Sequence, residues 1–461
     1  MEITIDNNIE RTAKGTVLFT SLGCDKNRVD SEVMVGILQN MGYQVISDES
    51  TADVIVVNTC CFIKDALDES IETIVELADY KTEGNCKALV VTGCLGQRYA
   101  DDFFQELPEV DALVGTGAYE QIGEVITDVL EKGKTHTVYM ESIDHDMEEE
   151  NGKLRVLSTA PYFAYLKISE GCDNHCTYCV IPKLKGKHRS RHMESLVEEA
   201  KILADIGVKE LVLIAQDTSI YGRDLYGESK LHELIEELAK IDGILWIRLL
   251  YCYPETITDA LIQTMKNTPK VCHYLDMPIQ HGSTSVLRRM GRKTNQEQIK
   301  EKIMALRNAM PDIALRTTVI TGFPGETEAE FQELLDFVAE MKFDRLGAFS
   351  YSQEDDTPAA LMDNQIDDEV KEERRDEVLE LQKGVAAALC EKEVGKQLEV
   401  LIEGRLPDEN IYCGRTKRDA PDIDGLVFVH AEEEIVSGEF VTVKIEEALD
   451  YDLIGKVIYD E

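Results

Sequence analysis

The sequence predicts an α/β protein in three parts: an N-terminal doubly wound α/β domain, a central partial (βα)6 barrel and a small antiparallel β-barrel at the C-terminus. Three observations carry this. From Gly15 to about Leu130, short wholly apolar runs alternate with helical stretches, the pattern of buried parallel strands in a doubly wound sheet. A longer strand–helix series starts at Tyr162 and repeats six times, too few for a full eight-stranded barrel but enough for an open one. Residues 391–461 change to short strands punctuated by Gly404, Gly414, Gly425, Gly438 and Gly455, as in a small OB-like barrel.

The elements follow in order. Thr16–Thr20, Asp53–Asn58 and Ala88–Thr92 are predicted strands, with helices at Asp30–Met41, Ala66–Ala78 and Ala118–Glu131. Residues 141–160 contain Met147-Glu-Glu-Glu-Asn-Gly-Lys153 and form a polar linker. The barrel strands are Ala164–Ile168, Glu210–Ala215, Leu245–Leu250, His273–Asp276, Leu315–Ile320 and Leu346–Tyr351. Ser195–Ile206 and Gln296–Ala309 are among the helices between them, and Asp367–Glu393 is a charge-rich helix leading out. Leu398–Ile402, Leu426–His430 and Phe440–Ile445 begin the terminal barrel.

Composition narrows the function. At 461 residues the chain has room for two or three cored domains. A net charge of −41 repels nucleic acid and favours basic partners. Twelve cysteines in so long a chain do not make a small secreted disulfide scaffold. The acidic start, Met1–Glu10, has no apolar core of a signal peptide, and no apolar run reaches membrane-span length. A reducing, cytoplasmic location is expected.

The sharpest motif is Gly171-Cys-Asp-Asn-His-Cys-Thr-Tyr-Cys179, a C-x₃-C-x₂-C triplet just after the first barrel strand. Cys172, Cys176 and Cys179 can hold three irons of a four-iron cluster, leaving the fourth iron open, since a full cluster takes four thiolates. An electron carrier would close that corner; a site that binds and cleaves a small molecule needs it open. Structural zinc is the alternative, with His175 or His188 in reach, although no second C-x₂-C knuckle is nearby. The spacing resembles the radical S-adenosylmethionine (SAM) enzymes, in which the open iron chelates SAM.

A second set is dispersed. Cys24, Cys60 and Cys94 each follow one of the three predicted N-terminal strands. In a parallel sheet such strand ends gather at one edge, so the three thiols should converge on a second cluster, again with one open iron. Cys61 is expected to point elsewhere, and Cys86, before its strand, to be a plain buried thiol. Cys252, Cys272, Cys390 and Cys413 show no pattern and are expected to be structural.

Together these residues resemble the methylthiotransferase family of radical SAM enzymes over essentially the whole chain. The matching pieces are Ser21-Leu-Gly-Cys-Asp-Lys-Asn-Arg-Val-Asp-Ser-Glu32, Asn58-Thr-Cys60, Thr92-Gly-Cys94, the triplet with Ile181-Pro182, Gln216-Asp-Thr218 and Thr321-Gly-Phe-Pro-Gly-Glu-Thr327. The opening motif and Gln216-Asp-Thr-Ser-Ile-Tyr-Gly222 are similar to the ribosomal-protein branch, with Asp25 where proline is common. The resemblance implies a cluster domain over residues 12–140, a radical SAM core over 158–389 and a TRAM domain over 391–461. It implies two 4Fe–4S clusters and SAM as cofactors. It also implies addition of a methylthio group to the β-carbon of an aspartate in small-subunit ribosomal protein twelve. Cys172, Cys176 and Cys179 would hold the cluster that generates the 5′-deoxyadenosyl radical, and Cys24, Cys60 and Cys94 the cluster that delivers sulfur. Tyr178, Gln216, Asp217, Arg316 and Glu326 are the candidate SAM contacts, with Gly322, Pro324 and Gly325 forming a turn nearby. An external electron donor and a sulfur source are needed.

Charge separates the branches. Residues 391–461 hold eight Lys and Arg against nineteen Asp and Glu, a net of −11. That is a poor clamp for tRNA and a suitable dock for a basic ribosomal protein; general solubility is the plain alternative. Nucleic acid would then be met only through the ribosome. The chain's main basic run, Lys183, Lys185, Lys187, Arg189 and Arg191, is expected to be a solvated loop able to meet a substrate carboxylate or ribosomal RNA. The competing functions are a tRNA adenosine methylthiotransferase and, from a different class, a non-catalytic iron–sulfur carrier.

Overall fold

The computed structural model describes residues 14–144, 155–407 and 410–459. The acidic start, residues 12 and 13 of the first expected domain and the Met147–Lys153 run of the linker lie outside the described residues. The chain forms two compact units: one runs to Ser158 and takes in Lys183–Gly186, the other comprises Thr159–Pro182 and the residues from Lys187 on.

The first unit is built on a six-stranded sheet. β1 (Gly15–Ser21), β2 (Tyr43–Ile46), β3 (Val54–Thr59), β4 (Ala88–Gly93), β5 (Ala112–Val114) and β6 (Thr137–Tyr139) lie in the order β2-β1-β3-β4-β5-β6. Every pairing is parallel. β3 and β4 are buried at every residue, which is why they read as unbroken apolar runs. β2, β5 and β6 were not predicted; with three or four residues each, they are too short to show a period. Helix α1 (Asp25–Asn40) starts five residues before the predicted Asp30, because extended Cys24 serves as its N-cap and Asp25 occupies its first turn. Met34 and Leu38 of α1 pack on Val17, Val54, Val56 and Val90 of the sheet.

In the second unit, β7 (Phe163–Lys167), β8 (Glu210–Ile214), β9 (Trp246–Leu249), β10 (Val271–Asp276), β11 (Ala314–Thr321) and β12 (Arg345–Ser350) form one sheet in sequential order. All neighbours are parallel, and β7 and β12 remain as edges: an open (βα)6 half-barrel, as expected. Helix α2 (Asp368–Cys390) leads out of it. β13 (Gln397–Arg405), β14 (Ile411–Arg415), β15 (Val427–His430), β16 (Phe440–Ala448) and β17 (Leu453–Val457) then close a barrel in the order β13-β14-β15-β17-β16. Four of its five pairings are antiparallel; β15 and β17 run parallel.

The terminal barrel docks at the amino ends of the half-barrel strands. Glu210, first residue of β8, accepts Arg248 Nε at 2.7 Å and Arg415 Nη2 at 2.7 Å, and all three side chains are at most 1 % exposed. Arg248 Nη1 donates to the Lys417 carbonyl (2.9 Å), and Trp246 Nε1 donates to Glu399 (3.0 Å). The carboxyl ends of the strands are thereby left for a site. Removing the anion from this buried cluster leaves Arg248 without a carboxylate partner among the described residues and Arg415 with Glu403 alone. Glu210→Gln is therefore expected to cost about 3–5 kcal/mol, read as a lowered urea midpoint; a wild-type midpoint would show that the cluster contributes nothing.

Candidate functional site

In the first unit, β1, β3 and β4 are neighbours, so Cys24, Cys60 and Cys94 follow adjacent strand ends. Each turn is shaped for this. Gly23 has φ +84°, and a Cβ there would lie 2.5 Å from Cys60 Cβ and 3.0 Å from its Sγ. Gly93 has φ +95°, and a Cβ would lie 2.4 Å from Asn58 Oδ1. Only glycine meets both demands. A polar mesh joins α1 to the strand ends. Asn58 Nδ2 donates to the Asn27 carbonyl and to Ser31 Oγ, both at 2.9 Å, and Asn27 Nδ2 donates to the Thr59 carbonyl at 2.9 Å. Ser70 Oγ accepts from the Cys60 N–H (3.1 Å) and donates to its carbonyl (2.8 Å). Asn27 and Ser31 of the opening motif and Asn58 of the second piece thus tie α1 to the strand end that precedes Cys60.

Cys60 and Cys94 are buried and Cys24 is exposed. Burial pushes the Cys60 thiol up to about 11, with Cys24 adding to the rise. Cys94 is pushed well up by burial, opposed by the Lys185 ammonium and reinforced by Cys60, Cys61 and Cys24. Cys61, expected to point elsewhere, lies within electrostatic reach of Cys94. Cys86 sits before β4 with its Sγ donating to the Ala88 carbonyl at 3.4 Å, a plain buried thiol.

In the second unit the triplet loop follows β7 and a two-residue ladder, Ser169–Glu170 with Arg189–Ser190. Gly171 turns the chain at φ +80°. Long-range contacts then hold the loop. Thr177 N–H donates to the Met290 carbonyl and its Oγ1 to the Arg289 carbonyl, both at 2.9 Å, and Ala359 N–H donates to the Thr177 carbonyl at 2.9 Å. A Cβ on Gly291 (φ +73°) would lie 2.9 Å from the His175 carbonyl. Asn174 Nδ2 donates to Asp217 Oδ2 at 3.1 Å. Asp217 is fully buried, and that burial pushes its carboxyl up to about 6. Gln216 Nε2 donates to Glu170 Oε1. Burial pushes Cys172 up to about 11 and raises Cys179, with Cys176 adding to both.

The remaining sequence candidates divide. Tyr178 packs against the apolar cluster of Val286, Met290, Phe323 and Tyr351. Glu326 Oε2 accepts the Gly322 and Phe323 N–H groups (3.0 and 3.3 Å) and its Oε1 pairs with Arg374 (2.8 Å), so its carboxylate braces the Gly322 turn. Arg316 is the third residue of β11, roughly 16 Å along the strand from its carboxyl end. Its Nη1 is bonded to Asp276 Oδ1 at 2.9 Å, so the structure does not bring it to the triplet. The basic run is not a solvated loop: Lys185 is 4 % exposed and pairs with Asp30 (3.0 Å), and Arg191 pairs with Glu199 (2.6 Å). Of the histidines considered for zinc, His175 is exposed, and His188 Nε2 contacts Ser190 Oγ at 3.1 Å.

Sequence reasoning missed Arg292 and Tyr253. The Arg292 guanidinium lies 4.1 Å from the centre of the Tyr253 ring and within electrostatic reach of Cys176. Tyr253 Oη is 4.0 Å from Cys176 Sγ. No local pattern marks either residue. Arg292 Nε and Nη1, Gln216 Oε1 and Tyr351 Oη are buried without a hydrogen-bond partner among the described residues, which fits a site that accommodates a further polar group. Among the described residues no three His, Cys, Asp or Glu side chains converge as a single metal ion requires. A four-iron cluster takes its thiolates on separate irons; Cys60 and Cys94 lie within electrostatic reach of Cys24, and Cys172 and Cys179 within reach of Cys176.

Comparison with known proteins gives three matches along the chain. Residues 16–115 match the "Uncharacterized protein family UPF0004", 166–338 the Radical SAM superfamily and 394–458 the TRAM domain. The "Ribosomal protein uS12 methylthiotransferase RimO" of Lachnoclostridium phytofermentans is 55 % identical over 439 residues, 95 % of this chain and 99 % of that one. That of Clostridioides difficile strain 630 is 53 % identical over 444 residues, 96 % of this chain and 99 % of its own. Among solved structures, the radical S-adenosylmethionine methyltransferase TsrM from Kitasatospora setae, with cobalamin and a [4Fe-4S] cluster bound, shares the fold. Its TM-score is 0.56 at 14 % identity, over 76 % of this chain and 74 % of that one.

The geometry at Gly93 can be tested directly. Gly93→Ala places a methyl group into Asn58 and Thr59 and holds alanine at an unfavourable φ. The expected result is destabilisation by about 2 kcal/mol or more together with loss of roughly half the bound iron, as expected if two like clusters share it. Full iron content in a stable variant would contradict the role given to this turn.

Proposed function

Because this chain belongs to the ribosomal protein uS12 methylthiotransferase family, we propose that it adds a methylthio group to the β-carbon of an aspartate in that small-subunit protein. The observation that carries this reading is the pair of three-cysteine sets. Both lie at carboxyl ends of parallel strands, and both are one thiolate short of a closed cluster. The enzyme is a radical SAM transferase with SAM and two 4Fe–4S clusters as cofactors.

The chemistry requires replacing an unactivated C–H bond with C–S, which no side-chain base can do readily. When bound, the reduced cluster and SAM supply the radical able to take that hydrogen. Cys172, Cys176 and Cys179 hold that cluster. The bonds from Asp217, Met290 and Ala359 to Asn174 and Thr177 hold the loop that carries the three thiols. Tyr178, Gln216 and Asp217 would contact SAM, and Arg292 Nε and Nη1, buried without a partner among the described residues, would be donors for it. Cys24, Cys60 and Cys94 hold the sulfur-delivering cluster. Burial raises the Cys60 and Cys94 thiols, and a bound iron would supply the positive charge that favours their thiolates.

The −11 charge of residues 391–461 supports a strongly basic protein as the partner rather than tRNA. An electron donor and a sulfur source come from outside the chain. Among the described residues no helix is long and apolar enough to cross a membrane, in keeping with work in the cytoplasm.

Product mass spectrometry tests the reading. Reconstituted protein with SAM, reductant and sulfide should add a methylthio group to an aspartate of ribosomal protein uS12 and nothing to tRNA; the reverse would move the chain to the tRNA branch. The cysteine sets separate by substitution. With Cys24, Cys60 and Cys94 all changed to Ala, 5′-deoxyadenosine should still form while methylthio product is lost; normal product would sink the second site. Changing Cys172, Cys176 and Cys179 should end both, and retained deoxyadenosine would refute the radical role of the triplet.

A further inference from the structure

Lys183–Gly186 follow the triplet in sequence but fold as part of the first unit. Leu184 is buried and so is Lys185, so a stretch carrying two lysines is drawn into the protein. It is held at two points. Lys185 Nζ donates to Asp30 Oδ2 at 3.0 Å, and both side chains are buried. The Leu184 carbonyl accepts from Thr116 Oγ1 at 2.5 Å, and the Thr116 N–H donates to Gln97 Oε1 at 3.1 Å.

Both anchors lead back to the first unit's cysteines. Asp30 lies on α1, whose N-cap is Cys24. It stands in sequence between Asn27 and Ser31, which bind Asn58 ahead of Cys60. Gln97 lies on the short helix Cys94–Arg98, which opens with the third cysteine. The segment is thus tied to the two helices that begin at Cys24 and Cys94. The Lys185 ammonium lies within electrostatic reach of Cys60 and Cys94, and Glu69 acts the opposite way on Cys60.

Stability does not account for this lysine. Burying an ammonium loses its hydration, and a buried ion pair returns little beyond that loss; an apolar pair of similar volume would hold the segment as well. What an ammonium adds is a positive charge in a region of low dielectric, where it acts strongly. Three thiolates around a four-iron core leave a negative charge, and net charge is one of the factors that set a cluster's potential. An anionic sulfur species at the open iron adds to that charge.

We propose that Lys185 is the counter-charge of the sulfur-delivering site. Held in place by Asp30, it favours the negative charge of the cluster on Cys24, Cys60 and Cys94 and selects an anionic sulfur co-substrate, hydrosulfide, for the open iron. Its role is electrostatic and is exerted through the cluster. The inference rests on the two-cluster reading above.

The test uses the full chain with Cys172, Cys176 and Cys179 changed to Ala, so that only the second cluster is loaded. Its midpoint potential is read by a redox titration followed by electron paramagnetic resonance. Binding of sodium sulfide is read from the absorption spectrum. Lys185→Met in this parent should lower the potential and weaken sulfide binding by about ten-fold. Asp30→Asn removes the opposing charge and should raise the potential, while Lys185→Arg should keep the parent value. Shifts of opposite sign follow the charge removed; a merely structural role moves both variants the same way or neither. Parent-like potential and sulfide affinity in Lys185→Met, or shifts of one sign in Lys185→Met and Asp30→Asn, overturn the inference. Where Lys185→Met does not retain iron, the other two variants decide: anything but a raised potential in Asp30→Asn and an unchanged one in Lys185→Arg overturns it. If the parent holds no four-iron cluster, the two-cluster reading fails, and this inference with it. If the parent holds one and the shifts do not follow charge, only the inference falls.

Discussion

Adjacent parallel strands are what allow this chain to work. Cys24, Cys60 and Cys94 lie far apart in sequence, and they meet only because β1, β3 and β4 are neighbours running the same way. Parallel neighbours are spaced about 4.8 Å apart, so the turns after them stand side by side. The same rule governs the half-barrel. Its six parallel strands have one carboxyl edge, and the triplet loop sits there. The opposite edge is given to the terminal barrel through the buried Glu210, Arg248 and Arg415 cluster. One end is for chemistry and the other for docking, and the strand direction decides which is which.

The two cysteine sets are fixed by different means. In the first unit the constraint is local to strand ends: two left-handed glycines and the Asn27–Ser31–Asn58 mesh leave the turns little freedom. In the second, the loop is short of internal structure and is gripped from distant segments at Asp217, Arg289–Gly291 and Ala359. Both sets bury thiols whose ionised form is disfavoured without a cation.

Much of this was legible in the sequence because it is carried by short-range signals. Unbroken apolar runs gave β1, β3, β4 and the barrel strands. A Gly-Cys step after an apolar run marked Cys24 and Cys94, and Gly171-Cys172 repeats it. β2, β5 and β6 escaped because three or four residues carry no period. Arg292 and Tyr253 escaped because their place beside Cys176 is set entirely by tertiary packing. The basic run was misjudged for the same reason. Lys185 and Arg191 look like solvent-facing charge until Asp30 and Glu199 are seen opposite them. Arg316 was placed in the right barrel but at the wrong end, since sequence gives a strand's residues without saying what faces each one.

The central claim is that one chain holds two four-iron clusters, each with an open iron. Mössbauer spectroscopy of anaerobically reconstituted, ⁵⁷Fe-enriched protein, with and without SAM, tests it most directly. The account predicts iron for two 4Fe–4S clusters per chain, with SAM altering the signal of a single iron in only one of them. One cluster per chain, or a signal indifferent to SAM, would contradict it.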